Sequence, residues 1–359
     1  MSLKAPPTLS DIALKCNLSK GSVSRALSMT ADECPLNPRT RKRVIKVARE
    51  MGYRVNAHAR ALSKGRSQNI GLVYEGALPV LDSVYHDIIE SLLLELRARD
   101  YHLSLIPIDE KRSWEDAILT GRIDACVCFQ EYPEHVAETL QRRNMPIVLL
   151  NGISDKATGV ICPNDRQGTE LGVKHLVDLG HRDIAFVADI ESATPHYSIL
   201  ERRNAFLDAM HELVGPADES TRIYNSTISL ARALQTGHAP TAVLCYSHFE
   251  AIPVIRHIRR AGFDIPHDIS LLAFNDVFPV DVLDPALSCI AVPAEAIGRS
   301  GARMILEQIE IVESGSASNL INTRLILDEE LVLRESTAPV RAGATTNGVH
   351  GSSSRIAPF

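Results

Sequence analysis

The sequence has few aromatic residues and no long apolar stretch. Phe, Trp and Tyr make up 5% of its 359 residues, and there is one tryptophan. Met1 to Pro7 contains no apolar run of signal-peptide length, and the longest apolar segments, such as Ser91 to Leu96, are far too short to span a bilayer. We therefore expect a protein that stays in the cytoplasm and does not engage a membrane.

Disulfide and metal patterns are also lacking. The seven cysteines are odd in number and scattered, and no two have Cys-x-x-Cys spacing, which is typical of reduced thiols. Cys126 and Cys128 would share one face of a predicted strand. A metal or redox role would need both, but ordinary core packing is the commoner reason for such a pair. We expect no metal and no cofactor.

Common enzyme motifs are missing as well. There is no Gly-x-x-x-x-Gly-Lys-Ser/Thr, Gly-x-Gly-x-x-Gly, Gly-x-Ser-x-Gly or His-Glu-x-x-His sequence. His86, Asp87 and Glu90 fall on neighbouring positions of a predicted helix, where a solvated charged face is a better interpretation than catalysis. The sequence therefore predicts that the protein is not an enzyme.

Charge, by contrast, is distributed very unevenly. Residues 1–66 carry 14 Lys and Arg against 4 Asp and Glu, a net charge of +10, whereas residues 67–359 carry 24 against 40, a net charge of −16. A basic head on an acidic body is the electrostatic footprint of a nucleic-acid-binding protein.

The head contains two short helices joined by a tight turn. Thr8 and Asp11 form a capping-box pattern before the first helix, and Ser19 can cap a second helix whose apolar face repeats at Val23, Ala26 and Leu27. These helices predict a helix-turn-helix, in which the second helix enters the DNA major groove. An amphipathic helical hairpin is the alternative for the two helices alone.

A third helix favours the helix-turn-helix. Asn37-Pro38 is a cap followed by proline at the first helical position, and Arg39 to Met51 buries Val44, Val47, Ala48 and Met51. A short Ala-rich segment then runs from Asn56 to Gly65, and it is too short to be a stable helix alone.

Here the sequence resembles the lactose-repressor (LacI/GalR) family of bacterial transcription regulators, along residues 8–333. The motifs in the head are Asp-Ile-Ala, Val-Ser-Arg-Ala-Leu, Thr-Arg-Lys-Arg-Val, Gly-Tyr-Arg-Val-Asn-Ala-His-Ala-Arg-Ala-Leu and Ile-Gly-Leu-Val. The resemblance implies that residues 56–63 form a hinge helix in the DNA minor groove, with Leu62 wedged between base pairs. Gly21 stands where the family often has a base-reading side chain, so base readout should depend on Lys20, Ser22 and Arg25. The expected DNA-contacting residues are Thr8, Ser19, Lys20, Ser22, Ser24, Arg25, Tyr53, Asn56, Arg60 and Leu62.

From Asn69 onward, apolar strands alternate with amphipathic helices. Such alternation predicts doubly wound parallel sheets, and two units of about 100 residues predict two lobes. Residues 171–186 and 262–270 continue the family resemblance, which implies a periplasmic-binding-protein-like body with three crossings near residues 151–164, 288–293 and 318–323. The predicted domains are the helix-turn-helix head (1–55), the hinge (56–68), the two-lobed body (69–335) and a disordered tail (336–359). Lobe 1 would comprise residues 69–163 and 293–318, and lobe 2 residues 164–288 and 323–335.

The carboxyl ends of parallel strands predict where a ligand binds. The resemblance selects Tyr85, Arg202 and Asn275, with Ser247 and His248 in place of an Asn-Asp pair and His196 near a further contact position. Arg202 would hold a carboxylate, a phosphate or sugar hydroxyls, whereas the acidic residues common in the family are missing from their usual places. His248 or Asn275 would alternatively only cap the segment that follows.

The resemblance thus implies a dimeric repressor on a near-palindromic, double-stranded DNA operator, controlled by a small sugar-like effector. A solute-binding protein or an enzyme on the same two-lobed fold is the alternative, but neither has a use for the basic head.

Overall fold

The computed structural model describes residues 7–29, 31–32, 34–53, 66–76, 83–109, 112–129, 134–189, 196–216, 222–316, 320 and 322–341. The chain divides into two units, one of residues 1–69 with 116–124 and one of residues 70–115 with 125–359.

The head folds as the sequence predicts, into helices α1 (Leu9–Cys16), α2 (Lys20–Ser28) and α3 (Pro38–Glu50). Thr8 and Asp11 form the capping box of α1, and Ser19 and Asn37 cap α2 and α3. Asn17 ends α1 in the left-handed conformation, with φ of 51°. One small core holds the three helices together, and its buried members are Ile12, Ala13, Cys16, Val23, Ala26, Val44 and Ala48.

The body contains two sheets. The first has the strand order β11-β5-β4-β3-β1-β2 and the second β12-β10-β9-β8-β6-β7. The strands are β1 (Asn69–Glu75), β2 (His102–Ile108), β3 (Ala125–Cys128), β4 (Ile147–Leu150), β5 (Gly159–Pro163), β6 (Ile184–Val187), β7 (Ile223–Tyr224), β8 (Ala242–Cys245), β9 (Ser270–Phe274), β10 (Ser288–Ala291), β11 (Thr323–Leu327) and β12 (Glu330–Val332).

Helices alternate with these strands, as the sequence pattern predicts. They are α4 (Ser83–Arg97), α5 (Ser113–Leu119), α6 (Glu134–Arg142), α7 (Asp165–Asp178), α8 (Tyr197–Leu213), α9 (Thr227–Gln235), α10 (His248–Arg260) and α11 (Ala294–Glu313). The inner strands β1, β3, β4 and β5 of the first sheet and β6, β8, β9 and β10 of the second are almost entirely buried, so the middle of each sheet is covered on both faces. The predicted doubly wound architecture is confirmed, except that β12 runs antiparallel to β10. We call the parts built on the first and second sheets lobe 1 and lobe 2.

The chain passes between the lobes three times. The first crossing lies between β5 and α7 and the second between β10 and α11. The third differs from the expected position near residues 318–323. Because Thr323–Leu327 pairs with Gly159–Pro163 in the first sheet, these residues belong to lobe 1, and the crossing lies at Asp328 and Glu329.

The predicted disordered tail is wrong for its first residues. Ser336 is fully buried, its Oγ donates to the Leu271 carbonyl at 2.6 Å, and the Leu271 N–H donates to the Ser336 carbonyl at 2.7 Å. Farther along, Val340 N–H donates to the Leu179 carbonyl at 3.0 Å. Hydrogen bonds of the main chain, which do not depend on an apolar pattern, hold residues 336–341 against lobe 2. Residues 342–359 lie outside the described part of the chain.

No helix among the described residues combines the length and the hydrophobicity needed to cross a membrane.

Candidate DNA-reading head and interlobe site

Helix α2 carries the polar residues that the sequence singled out, from Lys20 in its first turn to Arg25 in its last. Lys20 and Arg25 are exposed, whereas Ser22 and Ser24 are half-buried. Ser19 Oγ accepts from the Ser22 N–H at 3.1 Å and lies 2.9 Å from the Ser22 hydroxyl. These hydrogen bonds fix the residue at which α2 begins. The cationic side chains of Lys20 and Arg25 lie at the surface of the helix.

Gly21 lies in the first turn of α2 without a packing reason to be glycine. A Cβ placed on it would have the Ser19 hydroxyl as its nearest neighbour, at 3.9 Å. The head therefore has room for a side chain at Gly21.

Other predicted head residues serve the fold as well. Thr8, which is exposed, donates through its hydroxyl to Asp11 at 2.7 Å. Tyr53 packs on the head core, and burial raises its pKa. Arg41 and Arg43 donate to the carbonyls of Met29 and Cys16, at 2.8 Å each. The expected hinge residues Asn56, Arg60 and Leu62 lie outside the described residues.

In the body, Arg202 on α8 lies at the centre of a buried cluster. Its Nε donates to Asp165 Oδ1 at 2.7 Å, its Nη1 donates to the Tyr246 carbonyl at 2.8 Å, and its Nη2 lies 3.7 Å from Glu329 Oε1. The guanidinium stacks over the ring of Phe274, 3.8 Å from its centroid. With 4% of its side chain exposed, Arg202 already has two carboxyl groups beside it within the chain, those of Asp165 and Glu329.

The cluster connects two crossings. Asp165 begins α7 just past the first crossing, and Glu329 lies in the third. Tyr197 OH donates to Asp165 Oδ2 at 2.8 Å, and burial, followed by the charge of Asp165, raises the pKa of the Tyr197 phenol. Asn164 Nδ2 donates to Asp328 Oδ1 at 2.8 Å, which ties the same two crossings directly.

His196 joins lobe 2 to lobe 1. Its Nε2 lies 2.8 Å from the carbonyl oxygen of Asn151, which follows β4, and its Nδ1 lies 2.7 Å from Ser198 Oγ. Since a carbonyl only accepts, Nε2 carries a proton, and in the neutral ring Nδ1 accepts from the Ser198 hydroxyl. Ser198 Oγ then accepts from Tyr246 OH, 3.0 Å away. This ordered chain of hydrogen bonds runs from the end of β8 to the backbone of lobe 1.

Three further predicted ligand residues follow the ends of β8 and β9. Ser247 caps α10: its Oγ accepts from the Phe249 N–H at 3.1 Å and donates to Glu250. His248 is buried and stacks on Phe249, with 4.0 Å between ring centroids. Asn275 is half-buried in the left-handed region, with φ of 74°, and its N–H donates to the Ile290 carbonyl at 2.9 Å.

Tyr85 belongs to lobe 1. It lies in the first turns of α4 and packs against Phe129, which follows β3, with 4.9 Å between ring centroids. The structure thus groups His196 and Arg202 through Tyr246 and Ser198 and places Ser247 next to Tyr246. It puts Tyr85 at the strand ends of the other lobe.

Sequence reasoning missed the acidic partners of Arg202. Asp165 and Glu329 are 164 residues apart in the sequence, so nothing local indicates that they meet. The sequence Asp-Glu-Glu at residues 328–330 is typical of a solvated acidic segment. The expectation that acidic partners are missing holds for their usual places only. The one available signal was position, because both residues stand beside a crossing.

Among the described residues, the potential metal ligands His86, Asp87 and Glu90 lie on α4 with their ligand atoms within 4.8 Å of one another. His86 and Glu90 are exposed, and we interpret the group as a solvated charged face.

Taken together, a three-helix head and two doubly wound lobes joined by three crossings define a helix-turn-helix protein with a periplasmic-binding-protein-like body. Residues 173–337 match the family model of the periplasmic binding protein-like domain. Over nearly its whole length the chain is similar to the probable HTH-type transcriptional repressor ExuR of Bacillus subtilis, with 27% identity over 90% of this chain and 98% of that protein. It is similar in the same way to the HTH-type transcriptional repressor CytR of Escherichia coli K12, with 27% identity over 92% of this chain and 96% of that protein.

Solved structures agree on the fold. The lac repressor dimer bound to operator and the anti-inducer ONPF matches with a TM-score of 0.74 and 23% identity, over 93% of this chain and all of that one. A complex of the transcriptional regulator CelR with cellobiose matches with a TM-score of 0.62 and 21% identity, over 92% of this chain and 99% of that one. These matches bear out the fold that the resemblance to the lactose-repressor family implies.

Proposed function

We propose that this chain is a sequence-specific DNA-binding transcription regulator, a repressor that acts as a homodimer on a near-palindromic operator. The observation that carries the proposal is the capped helix α2, which exposes Lys20 in its first turn and Arg25 in its last turn, within residues 1–66 of net charge +10. The relatives named as HTH-type transcriptional repressors support it. In this function the protein catalyses no reaction, and it acts in the cytoplasm, where the DNA is.

Within the head, different residues contact the phosphates and the bases of the DNA. Lys20, Ser22 and Arg25 read the bases, with Arg25 foremost because a bidentate arginine to guanine is the commonest specific contact. The helix is positioned on the duplex by Thr8, Ser19, Ser24 and Tyr53. Asn56, Arg60 and Leu62 act in the hinge, with Leu62 as the wedge at the operator centre.

Selection of bound sequences from a random duplex pool tests the function. We expect a palindromic winner, bound with a steep salt dependence because the head is strongly basic. Arg25→Ala should reduce the preference for the winner over a scrambled duplex by about 1–3 kcal/mol. Lys46→Ala, an exposed cation on α3 paired with Glu50, is the matched control and should leave that preference unchanged. Absence of any enriched sequence, or a preference that survives Arg25→Ala, would contradict the proposal.

Leu62→Ala tests the hinge separately. It should weaken binding to the selected operator more than binding to a scrambled duplex, since the wedge is useful only on a bent site. An unchanged ratio of the two affinities would exclude the wedge.

For the body, we propose that a small sugar-like metabolite binds between the lobes and shifts DNA affinity. The residues that line this site are Tyr85, His196, Arg202, Ser247, His248 and Asn275. The hydrogen bond from His196 Nε2 to the Asn151 carbonyl is the contact that a bound effector would strengthen or break. Such a ligand acts only through a difference in affinity for two lobe arrangements, typically about 1–3 kcal/mol. A screen of mono- and disaccharides and nucleosides for a change in affinity for the selected operator, repeated with His196→Ala, tests this part.

A further inference from the structure

Glu329 places a carboxyl group in the interior, at the third crossing between the lobes. Its side chain has no exposed surface, although it stands in the acidic run Asp328-Glu329-Glu330, which follows β11 and ends in the first residue of β12. An ionised carboxylate in such a place requires a balancing charge and hydrogen-bond donors.

The surroundings of Glu329 provide little balancing charge and few hydrogen-bond donors. Its only ion-pair partner among the described residues is Arg202 Nη2, at 3.7 Å, and within that part of the chain neither carboxyl oxygen accepts a hydrogen bond. Asp165, in contrast, accepts from Arg202 Nε at 2.7 Å and from Tyr197 OH at 2.8 Å. The charge of Arg202 is thus matched by Asp165, and a second negative charge on Glu329 would be uncompensated.

The packing also prevents Glu329 from turning toward water. A Cβ on Gly168 would lie 1.7 Å from Glu329 Oε2, so the carboxyl occupies the space that this glycine leaves on α7. The Gln167 side chain makes two hydrogen bonds to the Glu329 backbone. Its Nε2 donates to the Glu329 carbonyl at 3.2 Å, and its Oε1 accepts from the Glu329 N–H at 3.0 Å. Hydration of the carboxyl therefore requires the first and third crossings to separate.

We propose that Glu329 binds a proton in the lobe arrangement described here and releases it when the two crossings separate, so that movement of the lobes is linked to pH. An effect of this movement on DNA affinity rests on the proposed function, whereas the proton bound to Glu329 does not. The charged and titratable groups around the carboxyl are Arg202 on α8, Asp165 on α7 and, beyond Asp165, Tyr197 and Cys162. Burial raises the pKa of Glu329 to about 8, with Arg202 opposing the shift and Asp165 adding to it.

Neutral variants test the bound proton. Between the ordinary glutamate pKa of 4.5 and about 8, the folded state of the wild type holds one proton more than the unfolded state. Each pH unit of increase should then reduce its folding equilibrium constant about tenfold relative to Glu329→Gln. Urea unfolding at pH 5.5, 6.5 and 7.5 measures this difference, and Glu329→Met should give the same result.

Glu330→Gln is the matched control, because Glu330 is the next residue and is exposed. Its stability should follow the wild type at every pH. Parallel wild-type and Glu329→Gln profiles would overturn the proposal, and so would failure of both neutral variants to fold at pH 6.5, since a carboxyl that is already neutral tolerates a neutral substitute.

Hydrogen exchange tests the link to the crossings. After correction for intrinsic rates, protection of the Glu329 amide should decrease between pH 6.5 and 8.5 in the wild type and stay constant in Glu329→Gln. Equal behaviour of the two proteins would show that the proton is not linked to this contact. Both measurements are made without DNA, so a chain that fails to select an operator leaves their interpretation intact.

Discussion

Ser336→Ala should destabilise the protein far more than a surface serine substitution. The Ser336 hydroxyl donates to the Leu271 carbonyl at 2.6 Å and accepts from the Ser288 N–H at 2.8 Å, with no exposed surface. Alanine would leave both backbone groups buried without this partner, at about 1–3 kcal/mol for each. We expect urea unfolding to show a loss of roughly 2–6 kcal/mol.

Ser314→Ala is the matched control, since the Ser314 hydroxyl donates to the Ile311 carbonyl at 2.8 Å at the exposed end of α11. It should change stability by no more than about 0.5 kcal/mol. If Ser336→Ala is as mild as this control, the hydroxyl of Ser336 does not hold the segment, and the disordered tail expected from sequence would be the better description.

Two other predictions concern buried charge and pH. Arg202→Met should cost about 3–5 kcal/mol in chemical denaturation, because it leaves the buried carboxylate of Asp165 without its cation; a change no larger than that of the neighbouring Arg203→Met would contradict the cluster. Burial lowers the pKa of His181 below 6.5, so the unfolded state takes up the proton first and the contribution of His181 to stability should decrease as the pH falls from 7 to 5. Over this range the wild type should therefore lose stability relative to His181→Asn, and parallel urea-unfolding profiles for the two proteins would refute it.

The head could be predicted almost completely because its signals are local. A side chain at Thr8 or Ser19 caps a helix through a residue three positions away, and the apolar faces repeat within single helices. Strands such as β3, β4 and β8 were equally predictable, since both of their faces are buried and their sequences are continuously apolar.

Features that depend on distant residues were missed. β11 is an edge strand with mixed burial, so its sequence does not show which sheet it joins, and the third crossing was misplaced. Residues 336–341 are held by hydrogen bonds to the backbone of lobe 2, which leave no periodic pattern. The partners of Arg202 come from two crossings that only the folded chain brings together.

The seven cysteines, all buried, have a practical consequence for following this molecule at work. Burial raises the thiol pKa of five of them, Cys126, Cys128, Cys162, Cys245 and Cys289, so little of the reactive thiolate is present at neutral pH. A cysteine introduced on each lobe surface would then react selectively with maleimide dyes, without removal of the native thiols. The distance between two fluorophores would report opening and closing of the lobes in an otherwise unaltered protein.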